Sequence, residues 1–184
     1  MIKNIIFDMG NVLIDFNPMQ YVGKLNLKDK EEEVKVFKAA YVNYKSIYMD
    51  YGKITEEEFV DHVVKGIGEE YRDKVAEVIL HWDQYLTPIR GMEELIKELK
   101  DKGYKIYLLS NAGFNQHDYW EKIPAHKYFD GAVVSCDAQV RALADTQAAG
   151  IDELEHCPVA ETQVRRRIYD IQDLLDRIVI YRGG

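Results

Sequence analysis

The chain has 184 residues, 47% of them hydrophobic and 30% charged, which is typical of a globular protein with one domain and room for an inserted module. The formal net charge of −8 disfavours binding to nucleic acid or to an anionic membrane surface. Two cysteines cannot build a disulfide framework, and no apolar run approaches the roughly 20 residues of a membrane span. With no signal-peptide pattern at the N-terminus, these features predict a cytoplasmic protein.

The first predicted element is a short apolar strand, NIIFD, that ends at Asp8. An unbroken apolar run of this length is typical of a strand buried in a parallel sheet, where ligands bind beyond the carboxyl ends of the strands. A carboxylate there suits a nucleophile or a hard-metal ligand, and the alternative is a helix N-cap. Gly10 is expected to allow a tight turn and close approach of a ligand. Asn11 is either a turn former or a polar group of the site.

Residues 17–88 are predicted to be a helical insertion. One apolar stripe recurs at spacings of three and four residues: Val34, Phe37, Tyr41, Tyr44 and Tyr48. Another consists of Tyr71, Val75, Val78 and Trp82. Thr55 and Glu58 match a capping box at a helix start. Because a crossover between strands needs only one helix, the insertion is predicted to be a separate cap over a core formed by residues 1–16 and 89–184.

Further strands are predicted at 104–111, 131–136 and 177–181, with a helix over residues 92–102. Strands that alternate with helices predict an α/β fold, with a Rossmann-like parallel sheet covered by helices on both faces. Ser110 and Asn111 end the second strand at the same edge as Asp8. The Ser110 hydroxyl, the Asn111 amide and the backbone N–H groups of Asn111 and Ala112 can hold a phosphate. By itself this segment would be an ordinary strand-to-helix turn.

Together these motifs carry a family resemblance. FDMGNVLIDF, the helical insertion, GYKIYLLSNAG and YFDGAVVSCDAQVR resemble the haloacid dehalogenase superfamily over residues 1–141. Within it, the chain resembles the cap-bearing sugar-phosphate phosphatases whose first motif is Asp-x-Gly-Asn-Val. The resemblance implies a hydrolase that acts on a small phosphorylated metabolite.

The resemblance also implies roles for individual residues. Asp8 would attack phosphorus and form an aspartyl-phosphate. Mg²⁺ would be bound by the Asp8 carboxylate and the Gly10 carbonyl. Ser110 and its neighbouring N–H groups would hold the phosphoryl oxygens, as phosphoryl transfer requires positioning and charge neutralisation.

Three departures from the family pattern leave alternatives open. Many members have a second Asp, a general acid and base, at the position of Gly10. Lys-Pro-Asp-Pro, whose Lys pairs with the nucleophile and the phosphate, normally follows the third strand. Arg141 is the nearby cation here and the candidate catalytic replacement, although Arg and Lys differ in geometry. The acidic pair that completes the metal site has no counterpart after the strand at 177–181. The chain is therefore expected to be a Mg²⁺-dependent phosphatase whose activity the atypical tail could impair or, alternatively, an inactive binding or assembly module. Dehalogenation through Asp8, which needs no Mg²⁺, ranks lower.

The end of the chain differs in composition. Every lysine lies at or before Lys127, whereas arginines continue to Arg182. Either chance or a different origin of the segment after Arg141 explains this change. His81, His117 and His126 are predicted to be surface or core residues rather than ligands, and His156 and Cys157 are too isolated to predict a metal site. The oligomeric state and the substrate are not predictable from these patterns.

Overall fold

A computed structural model describes residues 3–139 and the strand at 178–181. The strands are β1 (Asn4–Phe7), β2 (Ile14–Asp15), β3 (Thr87–Pro88), β4 (Lys105–Ser110), β5 (Gly131–Val134) and β6 (Ile178–Tyr181). Four of them form a parallel sheet in the order β5-β4-β1-β6, and β2 pairs with β3 in a small antiparallel sheet. The sheet confirms the predicted parallel α/β fold, including its fourth strand.

The helices are α1 (Pro18–Val22), α2 (Lys30–Tyr41), α3 (Ser46–Asp50), α4 (Glu56–Ile67), α5 (Arg72–Leu80), α6 (Met92–Asp101), α7 (Gln116–Tyr119) and α8 (Ser135–Ala138). Short 3-10 helices occur at Glu69–Tyr71, Trp82–Tyr85, Trp120–Lys122 and Pro124–Tyr128. The strand predicted at 131–136 is shorter than expected, since α8 begins at Ser135. None of the helices in the described part of the chain is long and apolar enough to span a bilayer.

The two central strands lie in the core because their side chains are covered on the sheet faces. Phe7 of β1 and Ile106 and Leu108 of β4 are almost fully buried. The predicted helix at 92–102 is α6, in which Ile96 is buried and Leu95 is exposed. Burial of these strands positions their carboxyl ends, where the candidate site residues follow.

The first predicted helical stripe is wrong beyond Tyr41. There α2 ends, and Tyr44 is 68% exposed. The reason is local, because Asn43 bonds the backbone with its own side chain: its Nδ2 donates to the Ala39 carbonyl, and its Oδ1 accepts from Lys45 N–H. The helix buries Val36 and Ala40 instead.

The other two helical predictions in this segment are confirmed. Thr55 and Glu58 form the capping box at the start of α4, with side-chain to backbone distances of 3.2 and 2.9 Å. Val75, Val78 and Trp82 are buried. The Trp82 ring packs edge-on against Tyr119 of α7, with ring centroids 4.6 Å apart. Trp82 therefore joins the helical segment to the element that follows β4.

Candidate active site

Asp8 and Ser110 lie at the carboxyl ends of neighbouring parallel strands. In the register of β1 and β4, Phe7 is opposite Leu108. Asp8 lies one residue beyond this pair, and Ser110 lies two residues beyond it. Asp8 is exposed, whereas Ser110 is only 3% exposed. The predicted juxtaposition of Asp8, Gly10 and Ser110 at one edge of the sheet agrees with this register.

The loop after β1 is held by its own backbone. The Met9 carbonyl accepts N–H groups from Val12, Leu13 and Ile14 at 2.8–3.3 Å. Asn11 donates its N–H to the Ile14 carbonyl at 2.7 Å, which closes the turn. The loop thus presents Asp8 on a compact turn, and the Leu13 carbonyl fastens its far end to the Ile89 N–H at 2.9 Å.

Asn11 acts as the turn former of this loop. Its φ is 57°, in the left-handed region that Asn tolerates better than most residues. Its Oδ1 accepts the Phe16 N–H at 3.0 Å. Of the two alternatives for Asn11, the structure supports the turn, and the proposed contact of Asn11 with substrate gains no support from these bonds.

Gly10 differs from its expected role. Its φ is not positive, so the strained backbone position belongs to Asn11 rather than to the glycine. A Cβ placed on Gly10 would meet only the Phe16 Cβ, at 3.8 Å, an ordinary contact. The turn therefore does not require a glycine here, since a side chain would fit without displacing Phe16.

The loop after β4 is fastened to the next strand by Ser135. The Ser135 hydroxyl accepts the Ala112 N–H at 3.0 Å and donates to the Ala112 carbonyl at 3.3 Å. Ala112 was predicted to offer its N–H to a phosphate, but in the structure that N–H binds Ser135. Sequence reasoning missed Ser135, although a polar residue at the end of a third parallel strand was a usable signal.

Glu56 reaches the same loop from the helical segment. It is only 5% exposed, and its Oε1 accepts the Asn115 N–H at 2.9 Å. The Asn115 side chain in turn donates to the Ile79 carbonyl at 3.2 Å. Sequence reasoning missed Glu56 because it begins a run of three glutamates that resembles an exposed first helical turn. The loop after β4 is thus held by α4 and α5.

The turn that precedes α4 also approaches this loop closely. Gly52 has a φ of +63°, and a Cβ there would lie 2.7 Å from the Cys136 carbonyl oxygen and 2.9 Å from Phe114 Cζ. The missing side chain therefore allows the helical segment to contact both the β4 loop and the residues after β5. We name Gly52, Glu56, Phe114, Asn115 and Cys136 the seam.

Tyr119 of α7, which packs against Trp82, has a structural role. Burial, followed by the negative charges of Asp50 and Glu56, raises the pKa of its hydroxyl far above the ordinary value. The phenol therefore stays protonated at neutral pH and does not act as a base.

Asn111 follows β4 and is half-buried. Arg141, the predicted cation, lies outside the described residues, as do the positions at which the third and fourth family motifs were sought.

Comparisons with known proteins agree with this architecture. A family model described as haloacid dehalogenase-like hydrolase matches residues 2–168. A haloacid dehalogenase (HAD) family enzyme from Bacteroides thetaiotaomicron, solved with magnesium and inorganic phosphate, is 22% identical, with a TM-score of 0.58 over 83% of this chain and 81% of that chain. A HAD-like family hydrolase from Porphyromonas gingivalis is 20% identical, with a TM-score of 0.53 over 95% and 98%.

A more distant match has a different activity in its name. The L-2-haloacid dehalogenase from Xanthobacter autotrophicus, with chloropropionic acid covalently bound, is 14% identical, with a TM-score of 0.51 over 82% of this chain and 66% of that chain. At these identities the solved structures show the fold alone. No curated protein matches the chain.

Proposed function

Because the chain belongs to the haloacid dehalogenase-like hydrolase family, we propose that it is a Mg²⁺-dependent phosphatase of a small phosphorylated metabolite of the sugar-phosphate class. The observation that carries the proposal is the placement of Asp8 and Ser110 at the ends of paired parallel strands. The magnesium and inorganic phosphate in the neighbour from Bacteroides thetaiotaomicron support the choice of reaction.

The chemistry assigned to this chain begins at Asp8. Its exposed carboxylate attacks the phosphorus of the ester, the bond to the leaving alcohol breaks, and an aspartyl-phosphate forms. Water then hydrolyses this acyl phosphate and regenerates Asp8. The buried Ser110 hydroxyl orients the phosphoryl oxygens beside Asp8.

The residues after β1 fit a magnesium ion. Mg²⁺ takes oxygen ligands and is commonly held by one or two carboxylates together with substrate phosphate and water. The Asp8 carboxylate and the Gly10 carbonyl are such oxygens, and Asp8 is exposed to solvent at the end of β1. When bound, the ion neutralises charge on the phosphoryl group, which otherwise repels the Asp8 carboxylate.

The helices between residues 17 and 88 are proposed to act as a cap. Glu56 and Gly52 contact the loop after β4, so the helical segment lies against a loop that leaves the same sheet edge as Asp8. A cap at this place would select the leaving group and exclude water from the phosphoryl step.

A second candidate is an inactive HAD-fold binding or assembly module. The observation in its favour is the sequence after Arg141, which does not continue with the family's Lys-Pro-Asp-Pro. Loss of one electrostatic group of this kind commonly costs about 10² to 10³ in rate. We therefore expect slow turnover compared with an ordinary enzyme.

A panel of sugar phosphates, assayed by phosphate release with and without Mg²⁺, tests the proposal. We expect Mg²⁺-dependent turnover that Asp8→Asn abolishes, because an amide is a poor nucleophile and a weaker metal ligand. Asp73→Asn, an exposed change in α5, is the matched control and should retain activity. Absence of turnover with a folded wild type would favour the inactive module, and Mg²⁺-independent halide release from 2-haloacids would favour a dehalogenase.

A further inference from the structure

A cluster of three different ligand types lies beside the β4 loop, outside the site around Asp8. His117 belongs to α7, and Cys136 and Asp137 belong to α8. One ligand atom from each side chain lies within 4.8 Å of the other two. His117 Nε2 is 3.0 Å from Asp137 Oδ1, and Cys136 Sγ is 3.9 Å from the same oxygen.

These distances are close to those between the ligands of one metal ion. Zinc binds His nitrogen and carboxylate oxygen at about 2.0–2.2 Å and thiolate sulfur at about 2.3 Å in tetrahedral sites. Ligand atoms at such lengths lie about 3.3 to 3.6 Å from each other by tetrahedral geometry. The two distances to Asp137 Oδ1 differ from this range by a few tenths of an ångström. The third pair, His117 and Cys136, lies within 4.8 Å, so binding requires the side chains to rotate toward a common ion.

The chemistry and exposure of the cluster also suit an ion that arrives from solvent. The His117 and Asp137 side chains are 55% and 50% exposed, whereas Cys136 forms the buried floor. Imidazole, thiolate and carboxylate together select zinc and its neighbours rather than Mg²⁺, which prefers oxygen ligands. The ligand types of this cluster therefore favour a different metal ion from the oxygen ligands of the Asp8 site.

We propose that His117, Cys136 and Asp137 bind one Zn²⁺-like transition-metal ion, with water as the fourth ligand. On binding, the Cys136 thiol loses its proton to solvent and forms a sulfur–metal bond. The Nε2–H bond of His117 to Asp137 breaks, the proton moves through solvent to Nδ1 of the same ring, and the Nε2 lone pair then binds the metal. Without metal, burial and the Asp137 charge raise the pKa of the Cys136 thiol to about 11, so the thiol is no ready nucleophile.

The ion would cross-link two short helices that follow adjacent strands. Beyond the paired ends of β4 and β5, the Ser135 hydroxyl ties the residues after β5 to Ala112 in the loop after β4. A metal between α7 and α8 adds a second tie, next to the contact of Gly52 with Cys136. Binding to the folded state alone would raise the unfolding temperature.

Cobalt titration of the chelator-treated full chain tests the site, since a thiolate bound to Co²⁺ gives a charge-transfer absorption band. We expect the band to saturate at one equivalent, to remain in Cys157→Ser, and to disappear in Cys136→Ser. His117→Ala and Asp137→Asn should weaken Co²⁺ binding by about tenfold or more. His126→Ala is the matched histidine control and should bind as the wild type does.

Zn²⁺ competition and thermal unfolding complete the test. Zn²⁺ should displace Co²⁺ and raise the unfolding temperature of the wild type but not of His117→Ala. His117→Ala is an exposed change, so this variant keeps the test decisive if Cys136→Ser fails to fold. The proposal is overturned if no band forms, or if the band survives Cys136→Ser and is lost in Cys157→Ser. Neither readout depends on phosphatase activity, so failure of this site leaves the proposal for Asp8 intact.

Discussion

The loops after β1 and β4 leave neighbouring strands at one edge of the sheet, yet they are held in opposite ways. The β1 loop closes on itself through the Met9 carbonyl and the left-handed Asn11. The β4 loop is held from outside, by Ser135 after β5 and by Glu56 from a helix 59 residues earlier in the chain. The first loop therefore closes mainly through bonds between its own residues, with a tie to Ile89 at its far end, whereas the second takes its shape from the packing of the helical segment.

Gly52→Ala should have the largest effect, because it forces the seam apart. A Cβ at a positive φ, 2.7 Å from a backbone oxygen that cannot rotate away, should lower the free energy of unfolding by about 2 to 4 kcal/mol. Denaturant titration measures the change. Gly66→Ala in α4, where a Cβ meets nothing within 4 Å, is the control and should be neutral or stabilising by up to about 1 kcal/mol. Equal stability of Gly52→Ala and wild type would contradict the close approach.

Glu56→Ala should have the next largest effect, since it removes the acceptor of a largely buried N–H. We expect a loss of about 1 to 3 kcal/mol in unfolding free energy and faster hydrogen exchange at the Asn115 amide. Glu56→Gln keeps an oxygen acceptor and should restore most of the protection. Glu57→Ala, an exposed change in the same helical turn, controls for helix-dipole effects. Unchanged hydrogen exchange of the Asn115 amide in Glu56→Ala would show that Glu56 does not hold the loop after β4.

Asn11→Ala should have a smaller effect, because the β1 loop depends on one residue with a left-handed backbone. Alanine loses the acceptor for Phe16 N–H and is disfavoured at a φ of 57°, so the cost should be about 1 kcal/mol. Asn11→Gly also loses the acceptor for Phe16 N–H, but glycine adopts a φ of 57° without strain, so the loss of stability should be smaller. Thermal unfolding of the two variants measures the difference. If glycine proves the worse substitution, the side-chain bond rather than the φ angle dominates this loop.

Gly10→Ala should have the smallest effect on stability, under about 0.5 kcal/mol, since the added methyl meets only Phe16 at an ordinary distance. Chemical denaturation of Gly10→Ala and Asn11→Ala compares the loss of unfolding free energy at two neighbouring positions of the same turn. A loss above that of Asn11→Ala would show that the turn needs glycine at this position after all.

The sequence by itself determined the features that depend on local periodicity and on family motifs. The strand that ends at Asp8, the strand that ends at Ser110 and the capping box of α4 follow from patterns a few residues long. Burial of an apolar run and satisfaction of helix-end N–H groups are requirements that every chain meets locally. The family assignment followed from the same short segments.

Only the tertiary structure decided what holds and surrounds these residues. Glu56 is one of three adjacent glutamates, and nothing in that run distinguishes the one that is buried against Asn115. His117 was predicted to be a surface or core residue rather than a ligand. It lies beside Cys136 and Asp137 because β4 and β5 are neighbours in the sheet. Such pairings depend on which elements pack together, and the free energy that selects them is spread over the whole core rather than over a few adjacent residues.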